Sequence, residues 1–133
     1  MTGGVVVTLE RGDSPDLAAL LAPPPPRHAR VFAARDSSDR LLGALALAPG
    51  PDDFAELLAA VVLPGARRSG VARRLVAAAE AWARVQRIRT LRFRAPADAT
   101  DALAAAPALG FIEIDGFGPY VGDAASVCFA KAI

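Results

Sequence analysis

The chain has little of what several chemistries require. Its single cysteine, Cys128, excludes an internal disulfide and a cysteine-based zinc site. The single histidine, His28, weakens any imidazole metal site or Ser-His-Asp triad, so no metal ligand set is expected. Aromatic residues make up 6% of the chain, too few for a track of stacking rings. With a net charge of only +1, no nucleic-acid partner is expected. No apolar run reaches the length of about 20 residues that crosses a bilayer, so no membrane partner is expected either. Met1–Glu10 has an acid and no basic segment ahead of its apolar residues, unlike a secretory leader. A soluble cytoplasmic protein is the expectation.

What is present reads as one domain over residues 1–133. The composition is 53% hydrophobic and 22% charged, and the length is sufficient for a core of its own. The positive charge is uneven, because nine of the 15 basic residues fall between Arg67 and Arg94. A local field of that kind suits a small anionic ligand.

Strand signals appear at Val5–Leu9, Arg30–Arg35, Arg40–Leu47, Phe54–Leu63, Ile88–Arg94, Phe111–Asp115 and Ser126–Ile133. Asp36–Asp39 makes a hairpin turn between the second and third of these, and Gly43 predicts a bulge or a close backbone approach. Phe54–Leu63 is apolar almost throughout, which predicts a central strand buried on both faces. A short helix begins at Pro15 with Ser14 as N-cap and ends before Pro23–Pro26, a stiff connector in preference to a PxxP ligand. Gly70–Arg87 is the clearest helix. Val71, Leu75, Ala78, Trp82 and Val85 form its apolar stripe, with Trp82 as a core anchor, and Arg73, Arg74, Ala77, Glu80, Arg84 and Arg87 lie opposite. Asp98 or Thr100 caps an Ala-rich helix, Asp101–Ala108, which Pro107 should shorten or kink and Gly110 should end. Hairpins combined with one crossover helix give an α+β fold with a mixed sheet.

The segment Glu56–Leu75 organises the rest. A buried strand stops at Pro64, a loop rich in Gly, Arg and Ser follows, and a helix starts near Gly70. Loop and first-turn N–H groups are unpaired there and the helix dipole favours an anion, so the stretch suits a nucleotide pyrophosphate. Arg67, Arg68, Arg73 and Arg74 add mobile positive charge.

These residues resemble the GNAT superfamily of acetyl-CoA-dependent N-acetyltransferases. The family signature Gln/Arg-x-x-Gly-x-Gly/Ala stands here as Arg67-Arg68-Ser69-Gly70-Val71-Ala72, followed by Leu75-Val76. Upstream, Ala55-Glu56-Leu57 and Val62-Leu63-Pro64 resemble the family's fourth strand. Downstream, Leu109-Gly110-Phe111, Phe117-Gly118-Pro119-Tyr120 and Ser126-Val127-Cys128-Phe129 resemble family segments. The resemblance spans roughly Arg30–Ile133. It implies a mostly antiparallel sheet of six to seven strands flanked by helices. It also implies fourth and fifth strands that splay apart after Val62, with the pantetheine arm of acetyl-CoA pairing near Val61, Val62 and Leu63. The pyrophosphate would lie over the N–H groups of Arg67, Arg68, Ser69, Gly70, Val71 and Ala72.

Acetyl transfer to an amine needs a neutral nitrogen, and deprotonating an alkyl ammonium of pKa about 10.4 at pH 7 costs roughly 4–5 kcal/mol. Glu56 is the candidate base, since some family members place one at that point of the strand. A backbone N–H near Val62 would polarise the thioester carbonyl. The family's usual general acid, a Tyr four residues before Gly-Phe, falls on Ala106, and its frequent Asn falls on Ala99. Tyr120, the only tyrosine, is either a substitute acid or a packed anchor in the last loop. Cys128 reads as a small buried residue. The implied activity is transfer of acetyl from acetyl-CoA to a primary amine of a small molecule or peptide. The alternative is a fold that binds acyl-CoA with little or no turnover. A homodimer, as in many relatives, is compatible with the sequence.

Overall fold

The computed structural model describes residues 4–133; Met1–Gly3, part of the stretch read as unlike a leader, lie outside them. The elements run β1 (Val6–Glu10), α1 (Pro15–Leu20), β2 (Arg30–Arg35), β3 (Leu41–Pro49), β4 (Phe54–Val62), α2 (Val71–Val85), β5 (Thr90–Pro96), α3 (Thr100–Ala108), β6 (Ile112–Ile114) and β7 (Ser126–Ala132). All these strands join one sheet in the order β1-β2-β3-β4-β5-β7-β6. Neighbours are antiparallel except β4 and β5. That one parallel pair needs a crossover, and α2 supplies it. The mixed, mostly antiparallel α+β sheet is therefore as the sequence predicts. No helix of the described residues is long and apolar enough to cross a membrane.

Two cores sit on the two faces of the sheet. On one, Leu75, Val76, Ala79 and Ala83 of α2 pack on Phe32, Leu45, Leu47, Ala55 and Leu91, with Ala106 of α3 and Phe111. On the other, Leu17 and Leu21 cover Val31, Ala33, Ala44 and Ala46. The six-residue α1 reaches only the β2–β3 half of that second face. The N-terminal elements are tied together by Arg35, whose guanidinium meets Glu10 at 2.9 Å and Asp16 at 2.8 Å.

Several local expectations are corrected by tertiary packing. The buried face of α2 is rotated from the predicted stripe. Val85 is 79% exposed, whereas Glu80, assigned to the solvent side, is buried. A buried carboxylate needs a countercharge, and Lys131 Nζ of β7 supplies it at 3.0 Å, with Arg84 at 3.4 Å completing the expected helical pair. Ala99, not Asp98 or Thr100, is the N-cap of α3, and no side chain caps it. Pro107 sits in the last turn of α3, where the helix is about to end, so its missing N–H disturbs little.

β4 departs most from expectation. Leu57 pairs with Leu47 and Ala59 with Ala46, which leaves Leu58 as a bulged residue. Leu58 is 39% exposed and Ala60 is also exposed, so the strand is not buried on both faces. The parallel ladder to β5 holds only Phe54↔Thr90, Ala55↔Leu91 and Glu56↔Arg92. The two strands therefore part after Glu56, six residues before the predicted point at Val62. The reason is the bulge, which turns β4 away as soon as Glu56 is passed.

Gly43 makes the close approach its position suggests, and the β2–β3 register also shifts beside it. A Cβ there would lie 2.8 Å from the Val61 carbonyl oxygen and 3.2 Å from Val71 Cγ1. This lets the first turn of α2 rest on β3 and β4. Gly43→Ala is expected to destabilise the fold by about 1–3 kcal/mol, the usual cost of overpacking. Urea unfolding measures it, and an unchanged midpoint would refute this account of the contact.

Candidate active site

The parting of β4 and β5 opens a cleft of about 270 Å³. Leu57, Leu58 and Ala60 line one side, Phe93 and Ala95 the other, and Ala102, Ala105 and Ala106 of α3 form a wall of small side chains. Ala106, where the family's Tyr would stand, is buried in this wall. The cleft shares Ala72, Ala105 and Leu109 with a second hollow of about 290 Å³ bounded by Val62 and by Ala66–Arg68 and Gly70–Arg73. The two form one trough from the sheet to the start of α2. A larger hollow of about 920 Å³ lies at the far side of the sheet, against β1 and Pro24–Pro26, and touches none of these residues.

The backbone of the trough is uneven in what it offers. The Leu63 N–H donates to Leu42 O at 2.9 Å, and the Leu63 carbonyl accepts from the Ala66 N–H. Alternation along an antiparallel strand then turns Val61 toward β3 as well and leaves the N–H of Val62 and of Ala60 on the open edge. A 3-10 turn, Pro64–Ala66, leads into the loop. Among the described residues, no backbone carbonyl accepts from the N–H groups of Arg68, Ser69, Gly70, Val71, Ala72 or Arg73. These are the donors that an anion at the α2 N-terminus would take.

Local chemistry shapes this loop. Arg68 has φ +65° and Gly70, the N-cap of α2, has φ +81°. The left-handed conformation at Gly70 costs a β-branched residue heavily, and no protein atom lies within 4 Å of where its Cβ would be. The Ser69 hydroxyl donates to Ala66 O and closes the loop. The four arginines are less mobile than the sequence suggests. Arg67 Nε reaches Val62 O at 3.4 Å, Arg73 reaches Ala108 O at 3.3 Å and Arg74 reaches Val5 O at 3.1 Å. Carbonyl oxygens at these distances hold the guanidinium groups without cancelling their charge. Arg68 alone of the four makes no such bond among the described residues.

The second group of residues lies on the opposite face of the sheet. Ala55, Leu57, Leu91 and Phe93 face α2, so Glu56, Arg92 and Arg94 face away from it. There the loop between β6 and β7 covers the half that α1 leaves open. Tyr120 in this loop donates its hydroxyl to Glu56 Oε2 at 3.0 Å, bringing together two residues 64 apart in sequence. Burial and then the bond to Glu56 raise the Tyr120 phenol above its ordinary value, so it stays protonated at neutral pH. Phe117 stacks edge-on against Tyr120 at 5.3 Å and against Phe54 at 6.2 Å. Arg92 lies 4.4 Å from the Phe54 ring centroid, and Arg94 lies 5.8 Å from that of Tyr120.

None of Arg92, Arg94, Phe54 and Phe117 is among the candidate site residues that the sequence offers. The signal was available for the arginines, since alternation with Leu91 and Phe93 already puts both on one face. The aromatic partners could not be assigned, because they come from a different strand and from a loop. Among the described residues no group of three or more His, Cys, Asp or Glu is placed to hold a metal.

A crossover helix, a parallel strand pair that parts and a loop of unpaired N–H groups together frame a trough suited to an elongated anionic ligand. Residues 8–111 match the model of the acetyltransferase (GNAT) family, and the chain belongs to that family. No match is found among curated proteins. Among solved structures, a Klebsiella pneumoniae protein assigned to the acyl-CoA N-acyltransferases superimposes with a TM-score of 0.85 at 24% identity, covering 96% of this chain and 97% of its own. A Bacillus subtilis acetyltransferase in complex with CoA gives 0.80 at 16% identity, with 98% and 99% covered. A GNAT acetyltransferase from Elizabethkingia anophelis with acetyl-CoA bound gives 0.79 at 12%, with 97% and 98% covered. At these identities the likeness is one of fold.

Tyr120 is the only tyrosine, so its ionisation can be followed directly by ultraviolet absorbance. Its midpoint is expected above 10.0. Glu56→Gln removes the carboxylate charge and should move that midpoint part of the way down. A wild-type midpoint at or below the ordinary phenol value would contradict the observed contact.

Proposed function

We propose that the protein transfers an acetyl group from acetyl-CoA to a primary amine by direct attack, with Glu56 as the base. The observation that carries this reading is the Tyr120–Glu56 hydrogen bond beside the point where β4 and β5 part. It sets a carboxylate and a protonated phenol at the parting, on the sheet face opposite the trough. The trough itself suits the cofactor: the loop from Arg68 to Arg73 has free N–H donors for a pyrophosphate, and the Val62 edge has a free N–H for a pantetheine amide or a thioester oxygen. Family membership and the CoA-bound relatives support the same assignment.

Acetyl-CoA supplies the thioester carbon at which the amine nitrogen forms a C–N bond as the C–S bond breaks. Glu56 takes the proton that the ammonium must lose, which offsets part of the cost of reaching neutral nitrogen at pH 7. Tyr120 orients Glu56 and, being protonated, is the candidate donor for the departing thiolate. A thiol of pKa about 8.5 is a tolerable leaving group even where that donor is weak, which answers the alanines at positions 99 and 106. The reading in which the fold only binds acyl-CoA has less support, because a non-catalytic module has no need of the Glu56–Tyr120 pair.

Two sets of variants test this. Glu56→Gln keeps an acceptor for the Tyr120 hydroxyl but removes the base. It is expected to lower kcat by about 10²–10⁴-fold, read as CoA thiol release over an amine panel, with CoA affinity retained. Release at the wild-type rate would remove Glu56 from the mechanism.

The proposed cradle is tested separately by calorimetric titration of CoA. Gly70→Val displaces several N–H donors, each worth roughly 1.5–3 kcal/mol to a charged group, and should weaken CoA by about 100-fold or more. Arg68→Ala removes one exposed charge worth about 0–1 kcal/mol, a change of about fivefold or less. Equal losses in the two variants would contradict a backbone-based site.

A further inference from the structure

The face that carries Glu56 also presents two guanidinium groups for which the proposed reaction has no use. We propose that the acceptor is an amino acid, a primary amine with a carboxylate one carbon away, and that Arg92 docks the carboxylate while the nitrogen meets Glu56. This rests on the reading of Glu56 as the base.

Arg92 is opposite Glu56 in the parallel ladder and on the same face, yet the two are not paired. Glu56 is engaged by the Tyr120 hydroxyl instead. The Arg92 guanidinium is set between rings, 4.4 Å from the centroid of Phe54 and 5.7 Å from that of Phe117. Rings hold a guanidinium by its face and leave the N–H edge free, and that edge is the part a carboxylate takes in bidentate fashion. Among the described residues, Arg92 and Arg94 belong to no ion pair.

The two arginines are not equivalent. Arg94 Nε donates to Ser126 Oγ at 2.6 Å, and that hydroxyl donates to Asp123 Oδ2 at 2.6 Å. Its charge is thus partly answered through Ser126, and it serves to hold the loop. Arg92 has no such answer and is the anion dock. Glu56 and Arg92 leave opposed positions of neighbouring strands on one face of the sheet, so an amine and a carboxylate carried on one carbon can approach both. A simple alkyl amine would leave Arg92 unanswered in the same pocket.

The test titrates each common L-amino acid, and the corresponding amino acid amide, into the CoA-saturated protein. The best amino acid is expected to bind at least roughly tenfold tighter than its amide, the usual effect of a charge-assisted contact. Arg92→Gln should bring that ratio to about one and Arg92→Lys should restore only part of it, with CoA affinity measured alongside to show that both variants are folded. An amide that binds as well as its acid in the wild type would overturn the proposal without any variant. So would a ratio unchanged in Arg92→Gln, or no binding by any amino acid. CoA release in the same samples separates the two readings. Acid-selective binding without acetyl transfer keeps the carboxylate dock and removes the transferase. Transfer to amides as fast as to amino acids removes the dock and keeps the transferase.

Discussion

The structure depends on how short the one parallel ladder is. Three residue pairs join β4 to β5, and then the Leu58 bulge carries β4 away. A full ladder would satisfy the backbone of both strands and leave no trough. The early parting leaves Val62 and Ala60 with groups turned to an open edge and lets α3 form a third wall. The crossover through α2 follows from the same pairing, because parallel neighbours cannot be joined by a tight turn. The loop of free N–H groups is therefore placed at the mouth of the trough by topology.

Beyond the Arg35 cluster of the N-terminal elements, charge around the trough and the sheet is handled in three ways. At the α2 N-terminus, arginines lie against carbonyl oxygens and keep their charge. Within the protein, Glu80 is buried, but Lys131 meets it and also donates to Leu109 O at 2.8 Å. That joins α2, β7 and the end of α3, and removing one partner would strand a buried charge. On the open half of the second face, Arg92 and Arg94 are positioned by rings and by Ser126, with Glu56 held by Tyr120. The first and third places lie on opposite sides of the β4–β5 parting, so a cofactor and an acceptor could approach from different directions.

Relatives of 12–24% identity share this sheet over nearly their whole length. At that identity the likeness is one of fold, and the fold does not fix which side chains stand on the Glu56 face of β5.

Much of this was readable along the chain. The order of elements follows from periodicity, and the loop from Arg67 to Ala72 from a strand, a glycine and a helix start in sequence. Those features are local: period, capping and φ preference act over a few residues. The bulge at Leu58 was not readable, because an apolar run looks the same whether it is buried on both faces or lines a trough. The rotation of α2 was hidden likewise, since Glu80 is buried only where Lys131, 51 residues on, can reach it. Sequence alone marked the loop Arg67–Ala72 as a candidate anion site and Glu56 as a candidate base. Only the tertiary structure decided where β4 leaves β5 and that Tyr120 meets Glu56 on the face that carries Arg92 and Arg94, because each of those outcomes is set by contacts between segments far apart in the chain.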